Sequence, residues 1–118
     1  MFLAVVVVAI AFGTARVFAA AFQPDPRRAA ARFVGAVNRG DWDSACRMYS
    51  GRYLKVSQGA CRKLWWWGWR FYGPYTYKLV RAHLTRGRYH VELTRRGGAD
   101  FVDFAREGGG WKVVAGGW

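Results

Sequence analysis

The chain has 118 residues and a formal net charge of +12, with 53% of positions hydrophobic and 18% aromatic. These values exclude a multi-domain enzyme, an acidic protein and a disordered polar tail. One small domain is the ceiling, because the first 22 residues are nearly all apolar and about 96 remain to build a core.

Met1–Ala15 carries no charge, and Leu3–Phe12 (LAVVVVAIAF) has the length of a signal-peptide apolar region, followed by the small residues Ala19, Ala20 and Ala21 around a cut after Ala21. The same stretch as one helix reaches roughly 33 Å, enough to span a bilayer, with Arg16 near its end to snorkel outward. Residues 1–22 are therefore read as a signal peptide or a membrane anchor. Residues 25–118 are read as one extracytoplasmic domain, secreted or tethered. Arg16, Arg27, Arg28 and Arg32 follow the apolar run and no basic residue precedes it, which by the positive-inside rule argues the reverse orientation. A start codon assigned downstream of the true one removes that objection.

Asp25 and Pro26 read as N-cap and first turn of a helix in which Ala30, Phe33, Val34 and Val37 recur at helical spacing before Asn38, Arg39 and Gly40 stop it. Asp41 caps a second helix carrying Trp42, Ala45, Cys46 and Tyr49, ended by Ser50 and Gly51. Ser57 is the expected cap of a third helix, with Cys61, Leu64, Trp65 and Trp69 on one side and Gly73 and Pro74 at its end. Cys46 and Cys61 are the only cysteines. A bridge between them would contribute about 3 kcal/mol through loop-closure entropy and suits a small secreted domain; the other reading is two buried free thiols. With no CxxC spacing and no His nearby they make no metal site.

The remainder alternates like a β-meander. Arg86 and Gly87 as a two-residue loop set Val80 against Leu93, Ala82 against Val91 and Leu84 against Tyr89, with Arg81 opposite Glu92 and His83 opposite His90 on the other face. Gly97 and Gly98 as the next loop set Leu93 against Val102, Val91 against Phe104 and Arg95 against Asp100. A four-residue loop over 107–110 sets Phe104 against Val113 and Val102 against Ala115. The expected fold is α+β, three N-terminal helices packed on a curved four-stranded antiparallel meander.

Ala31–Cys46 (ARFVGAVNRGDWDSAC), with its Gly-Asp turn between two helices, and the closing Trp111–Val114 strand (WKVV) resemble the nuclear transport factor 2-like superfamily, a cystatin-like α+β fold. A Cys in the second helix and another at the start of the third is similar to the small secreted actinobacterial branch. The resemblance covers residues 25–118 and implies a cone-shaped pocket on the concave face, lined here by Val80, Ala82, Tyr89, Val91, Leu93, Phe104, Trp111 and Val113 and suited to a small apolar ligand. Some members are isomerase- or cyclase-like enzymes; many are non-catalytic binding or assembly modules.

Enzymes of that kind need an acid or base in a dry pocket. The middle of this face offers no carboxylate and no His, only Tyr89; Lys78, Arg95, Asp100 and Arg106 sit towards its ends. No catalytic residue, cofactor or metal is assigned. The opposite face gathers Arg81, His83, His90, Glu92 and Asp103, which as residue types could ligate a metal but read as a solvated face on which Arg81 neutralises Glu92 and Asp103.

In Leu64–Phe71 (LWWWGWRF), at 100° per residue, Cys61, Trp65 and Trp69 share a side, Trp66 sits at its edge and Trp67 points away. Arg62, Lys63, Trp66, Trp67 and Arg70 are assigned to contact with an anionic membrane or a partner. Alternatively, the tryptophans cap the wide end of the cone or fill a homodimer contact. The charge excess suits anionic lipid or a cell-envelope polymer, and no recognition-helix, RNP or zinc-finger pattern marks specific nucleic-acid binding. The sequence thus reads as a non-enzymatic extracytoplasmic ligand-binding or assembly module at the cell envelope. The alternative is a small isomerase- or cyclase-like enzyme using Tyr89 and an ionisable group at one end of the pocket.

Overall fold

The structure, a computed structural model, describes residues 25–56 and 59–117. The leader or anchor expected at 1–22 lies outside these residues. Among the described residues no helix is long and apolar enough to cross a membrane.

Helix α1 spans Pro26–Arg39. The Asp25 side chain accepts from the Arg27 N–H, and Gly40, at φ 77°, closes the other end with its N–H on the Ala36 and Val37 carbonyls. This left-handed cap is a conformation glycine adopts without penalty. The Asp41 N–H also returns to the Ala36 carbonyl at 2.9 Å, so the chain turns sharply into α2, Trp42–Arg47, capped by the Asp41 carboxylate on the Ser44 N–H. Both carboxylates are held below the ordinary value, Asp25 by its hydrogen bonds from Arg27 and Asp41 by those from Ser44.

Helix α2 is shorter than its periodicity predicts. Met48 and Ser50 are claimed by the sheet: the Val113 N–H donates to the Met48 carbonyl at 2.7 Å and the Ser50 N–H to the Val113 carbonyl at 2.9 Å, making an isolated parallel bridge at Tyr49. A fourth, unexpected helix follows, α3 at Gly51–Val56, so the described residues hold four helices ahead of the sheet rather than three. Its first turn is anchored by the Ser50 hydroxyl accepting from the Tyr53 N–H and by Glu107 accepting from the Gly51 N–H, each at 3.0 Å. Helix α4 runs Cys61–Tyr72 with Ala60 at the cap position and no side-chain cap; Ser57, the expected cap, lies outside the described residues. A disulfide joins Cys46 of α2 to Cys61 at the first residue of α4 and supplies the tether that a cap does not.

The sheet comprises β1 (Lys78–Thr85), β2 (Arg88–Arg95), β3 (Gly98–Glu107) and β4 (Gly110–Gly116) in the order β1-β2-β3-β4, all antiparallel. The expected α+β meander is present. All three hairpins use two-residue loops with positive φ at both positions, as type I′ turns require: Arg86 with Gly87, Arg96 with Gly97, and Gly108 with Gly109.

This turn chemistry corrects the register beyond the first hairpin. The second loop is Arg96-Gly97, which pairs Leu93 with Asp100, Val91 with Val102, Tyr89 with Phe104 and Arg95 with Gly98. The two-residue displacement keeps every side chain on its face, because an even step preserves the alternation. It separates Arg95 from Asp100, whose carboxylate instead accepts from the Tyr77 hydroxyl at 3.0 Å. The third loop is two residues rather than four; Phe104 pairs with Val113 as expected, but a bulge moves Val102 from Ala115 to Gly116. In the first hairpin the pairs from Arg81–Glu92 to Leu84–Tyr89 are as expected, whereas Leu93 pairs with Leu79, because a bulge leaves Val80 unpaired.

The core lies between α1 and strands β2 to β4. Phe33 sits edge-on to Phe104 at 5.9 Å and to Trp65 at 6.1 Å, tying helix, sheet and α4 at one point. Asn38 clamps the chain entering β1: its amide donates to the Tyr77 carbonyl and accepts from the Tyr77 N–H, both at 3.0 Å.

Candidate functional site

Helix α4 is fixed from one side only. Its buried residues are Cys61 and Trp65. The Trp65 indole N–H donates to the Tyr49 hydroxyl at 3.1 Å, and the Trp65 carbonyl accepts from the Tyr75 hydroxyl at 2.8 Å. Tyr75 reaches that carbonyl by passing over Gly68, where an added Cβ would lie 1.9 Å from its oxygen. The glycine inside the tryptophan run is thus a close-approach site. Burial raises the Tyr75 phenol above its ordinary value, with Arg95 opposing, and raises that of Tyr77 further, Asp100 adding to the burial.

The C-terminal end of α4 is bound by the second hairpin turn. Arg95 donates to the Tyr72 and Gly73 carbonyls and its guanidinium lies 4.6 Å from the Tyr75 ring centre; Arg96 donates to the Tyr72 carbonyl at 2.8 Å. Cations on the last carbonyls complement the helix dipole. Here they also hold the rest of α4 facing outward.

That outward side is aromatic. Leu64, Trp66, Trp67 and Trp69 are 41–57% exposed, and Phe71 and Tyr72 69% and 70%. Trp66 meets Trp67 edge-on at 5.0 Å, and Trp67 stacks on Phe71 at 5.1 Å, forming a continuous ladder. Leu64 and Trp69, expected on the buried side, are corrected to the surface, Trp69 leaning on Trp42 at 6.2 Å. Of the cations assigned to this surface, Arg62 pairs with Asp43 at 2.8 Å, whereas Lys63 and Arg70 have no ion-pair partner among the described residues. Two open clefts flank the end of the helix. One of about 490 Å³ is lined by Trp66, Trp69, Arg70, Gly73 and Pro74, the other of about 430 Å³ by Phe71, Tyr72, Arg95 and Arg96.

The residues expected to line a pocket separate into two groups. Val91, Leu93, Phe104 and Val113 are at most 1% exposed and form the core, with Tyr89 and Trp111 buried beside them, their rings 6.4 Å apart. Val80 and Ala82 lie on β1, where every residue is exposed. Phe33, Val34 and Val37 of α1 fill the space over the strands. On the opposite face His83 lies beside His90, 5.4 Å between rings; Arg81 pairs with Glu92, and Asp103 pairs with His90 and with Arg88 rather than with Arg81. Among the described residues no group of three or more His, Cys, Asp or Glu is arranged to hold a metal ion.

Sequence reasoning missed the exposure of Leu64, Trp69, Phe71 and Tyr72. The available signal was the width of the apolar arc of α4, which exceeds what one face of a helix can bury. It also missed Arg95 and Arg96, which meet α4 only in the tertiary structure. Fold and surface together define a small disulfide-bonded α+β domain with four helices, a four-stranded meander and an aromatic, cation-flanked helix on its surface. Comparison with family models, with curated proteins and with solved structures finds no match.

Proposed function

We propose that this chain is a non-enzymatic module acting outside the cytoplasm at the cell envelope, secreted or tethered through residues 1–22, that contacts an anionic membrane surface through α4. The observation that carries the reading is the outward ladder Trp66, Trp67 and Phe71, set beside Lys63 and Arg70. Indole rings settle at head-group depth, where ammonium and guanidinium groups meet lipid phosphate. The Cys46–Cys61 bridge is consistent with an oxidising compartment. A nuclear transport factor 2-like ancestry belongs to the same proposal, supported by the order of helices then meander. The filling of the sheet's inner face by α1 favours a binding or assembly role over isomerase- or cyclase-like chemistry at Tyr89.

Tryptophan emission on mixing with vesicles tests this. Phosphatidylglycerol vesicles should shift it to the blue, phosphatidylcholine vesicles should not, and added salt should reverse the shift. Replacing Trp66 and Trp67 by Ser should abolish binding while leaving the folded state intact. No shift with the anionic vesicles sinks the proposal.

A further inference from the structure

The chain has two histidines, and the fold brings them together. His83 of β1 and His90 of β2 are cross-strand partners on the face of the sheet opposite the core, with ring centres 5.4 Å apart. Asp103 of β3 is next in the same row: its carboxylate bonds the His90 Nδ1, while the Phe101 ring stacks on that imidazole at 5.5 Å. A carboxylate on one ring nitrogen of a neutral imidazole keeps the proton there and leaves the lone pair of the other nitrogen free. His90 thus offers Nε2 from a ring fixed at its edge and its face. The His83 ring is exposed and has no hydrogen bond or ion pair among the described residues.

We propose that His83 and His90 form a two-imidazole site for a divalent transition metal, copper(II) before nickel or zinc, with Asp103 positioning His90 and water in the remaining positions. Two imidazoles on one ion, with metal–nitrogen bonds of about 2.0–2.1 Å and an angle of about 90–110° between them, hold their ring centres roughly 4.5–5.2 Å apart. The observed 5.4 Å is brought into that range by a small rotation of the exposed His83 ring. Strand pairing sets the two side chains side by side before any ion arrives, which lowers the cost of binding. Imidazole donors without thiolate suit copper, nickel and zinc, and copper(II) heads the order of affinity. Local charge does not oppose a cation despite the net charge of +12, because Arg81 is paired with Glu92 and Arg88 with Asp103. The carboxylate of Asp103, expected from the sequence to be neutralised by Arg81, is instead the group that orients a ligand.

Titration of the full chain with copper(II) chloride, read by electron paramagnetic resonance with nitrogen modulation, tests the proposal. The modulation counts imidazoles on the ion, His83 and His90 are all the chain has, and both cysteines are in the disulfide, so no free thiol competes. Wild type should take one ion with two imidazoles and bind zinc(II) more weakly. His83→Ala and His90→Ala should each leave one imidazole at most and weaken copper binding at least about tenfold, whereas Asp103→Asn should keep both imidazoles and weaken binding about 10–100-fold. A wild-type ion carrying fewer than two imidazoles overturns the proposal, as does an affinity that neither histidine variant lowers. An Asp103→Asn chain that binds copper as tightly as wild type overturns the positioning role of that carboxylate.

Discussion

Helices α1 and α4 share the same apolar periodicity and have opposite fates. In α1 the apolar residues are mostly small and confined to one stripe, and Ala29, Ala30, Phe33, Val34, Ala36 and Val37 all go into the core. In α4 they run almost all the way round, and only Cys61 and Trp65 are buried. A helix on the surface of a small domain has one side to offer the core, so a wider apolar arc must find a second apolar environment. The period of a pattern says that a helix has a buried side; its angular width says whether a second side is left for a partner.

Four measurements would break or sharpen this contrast. The largest effect is expected at Phe33, where α1, Trp65 and Phe104 meet: Phe33→Ala should cost about 3–5 kcal/mol in urea unfolding, against no more than about 0.5 kcal/mol for Leu64→Ala on α4. Equal losses would show that α4 is core after all. Removing the tether with Cys46→Ser and Cys61→Ser together should cost about 3 kcal/mol, read as a lowered denaturant midpoint that reducing agent reproduces in the wild type. Gly68→Ala should cost about 1–3 kcal/mol by driving Tyr75 off the Trp65 carbonyl, and Tyr75→Phe in the same chain should recover part of that loss.

The smallest effect is in the pH profile. Burial and Asp100 raise the Tyr77 phenol above its ordinary value of 10.0, so the fold favours the neutral form. That contribution is intact below the ordinary value and is lost as pH rises from there towards the folded one. Unfolding at about pH 8 and about pH 11 should show a drop in the wild type that is smaller in Tyr77→Phe. At the acid end Asp25 and Asp41, both lowered, act in the opposite sense: they stabilise above the usual carboxylate value and lose this as pH falls.

Where local chemistry settles a feature, the sequence shows it. Asp25, Pro26 and Gly40 delimit α1 because a cap, a first-turn proline and a left-handed glycine act within a few residues. The first hairpin follows from Arg86-Gly87 and a period of two. The second register was not legible, because two competing loops, Arg96-Gly97 and Gly97-Gly98, keep the same residues on the same faces. In the observed register Arg95 and Asp100 find partners outside the sheet, Arg95 in the Tyr72 and Gly73 carbonyls and Asp100 in the Tyr77 hydroxyl. Helix α2 stops early for a similar reason: backbone groups around Tyr49 bond to β4, a strand more than sixty residues further along the chain.

For the candidate site the division is just as clear. Composition and spacing determined that this is a small basic α+β chain with one aromatic helix and a single pair of cysteines, since charge, period and turn residues are properties of short stretches. Only the tertiary structure decided that Trp66, Trp67, Trp69, Phe71 and Tyr72 face outward, that the sheet's inner face is filled by α1, and that every residue of β1 is exposed. Those outcomes depend on how much apolar surface four short helices can cover. The helices suffice for three strands and for one side of α4, and leave the aromatic side of α4 and the residues of β1 exposed.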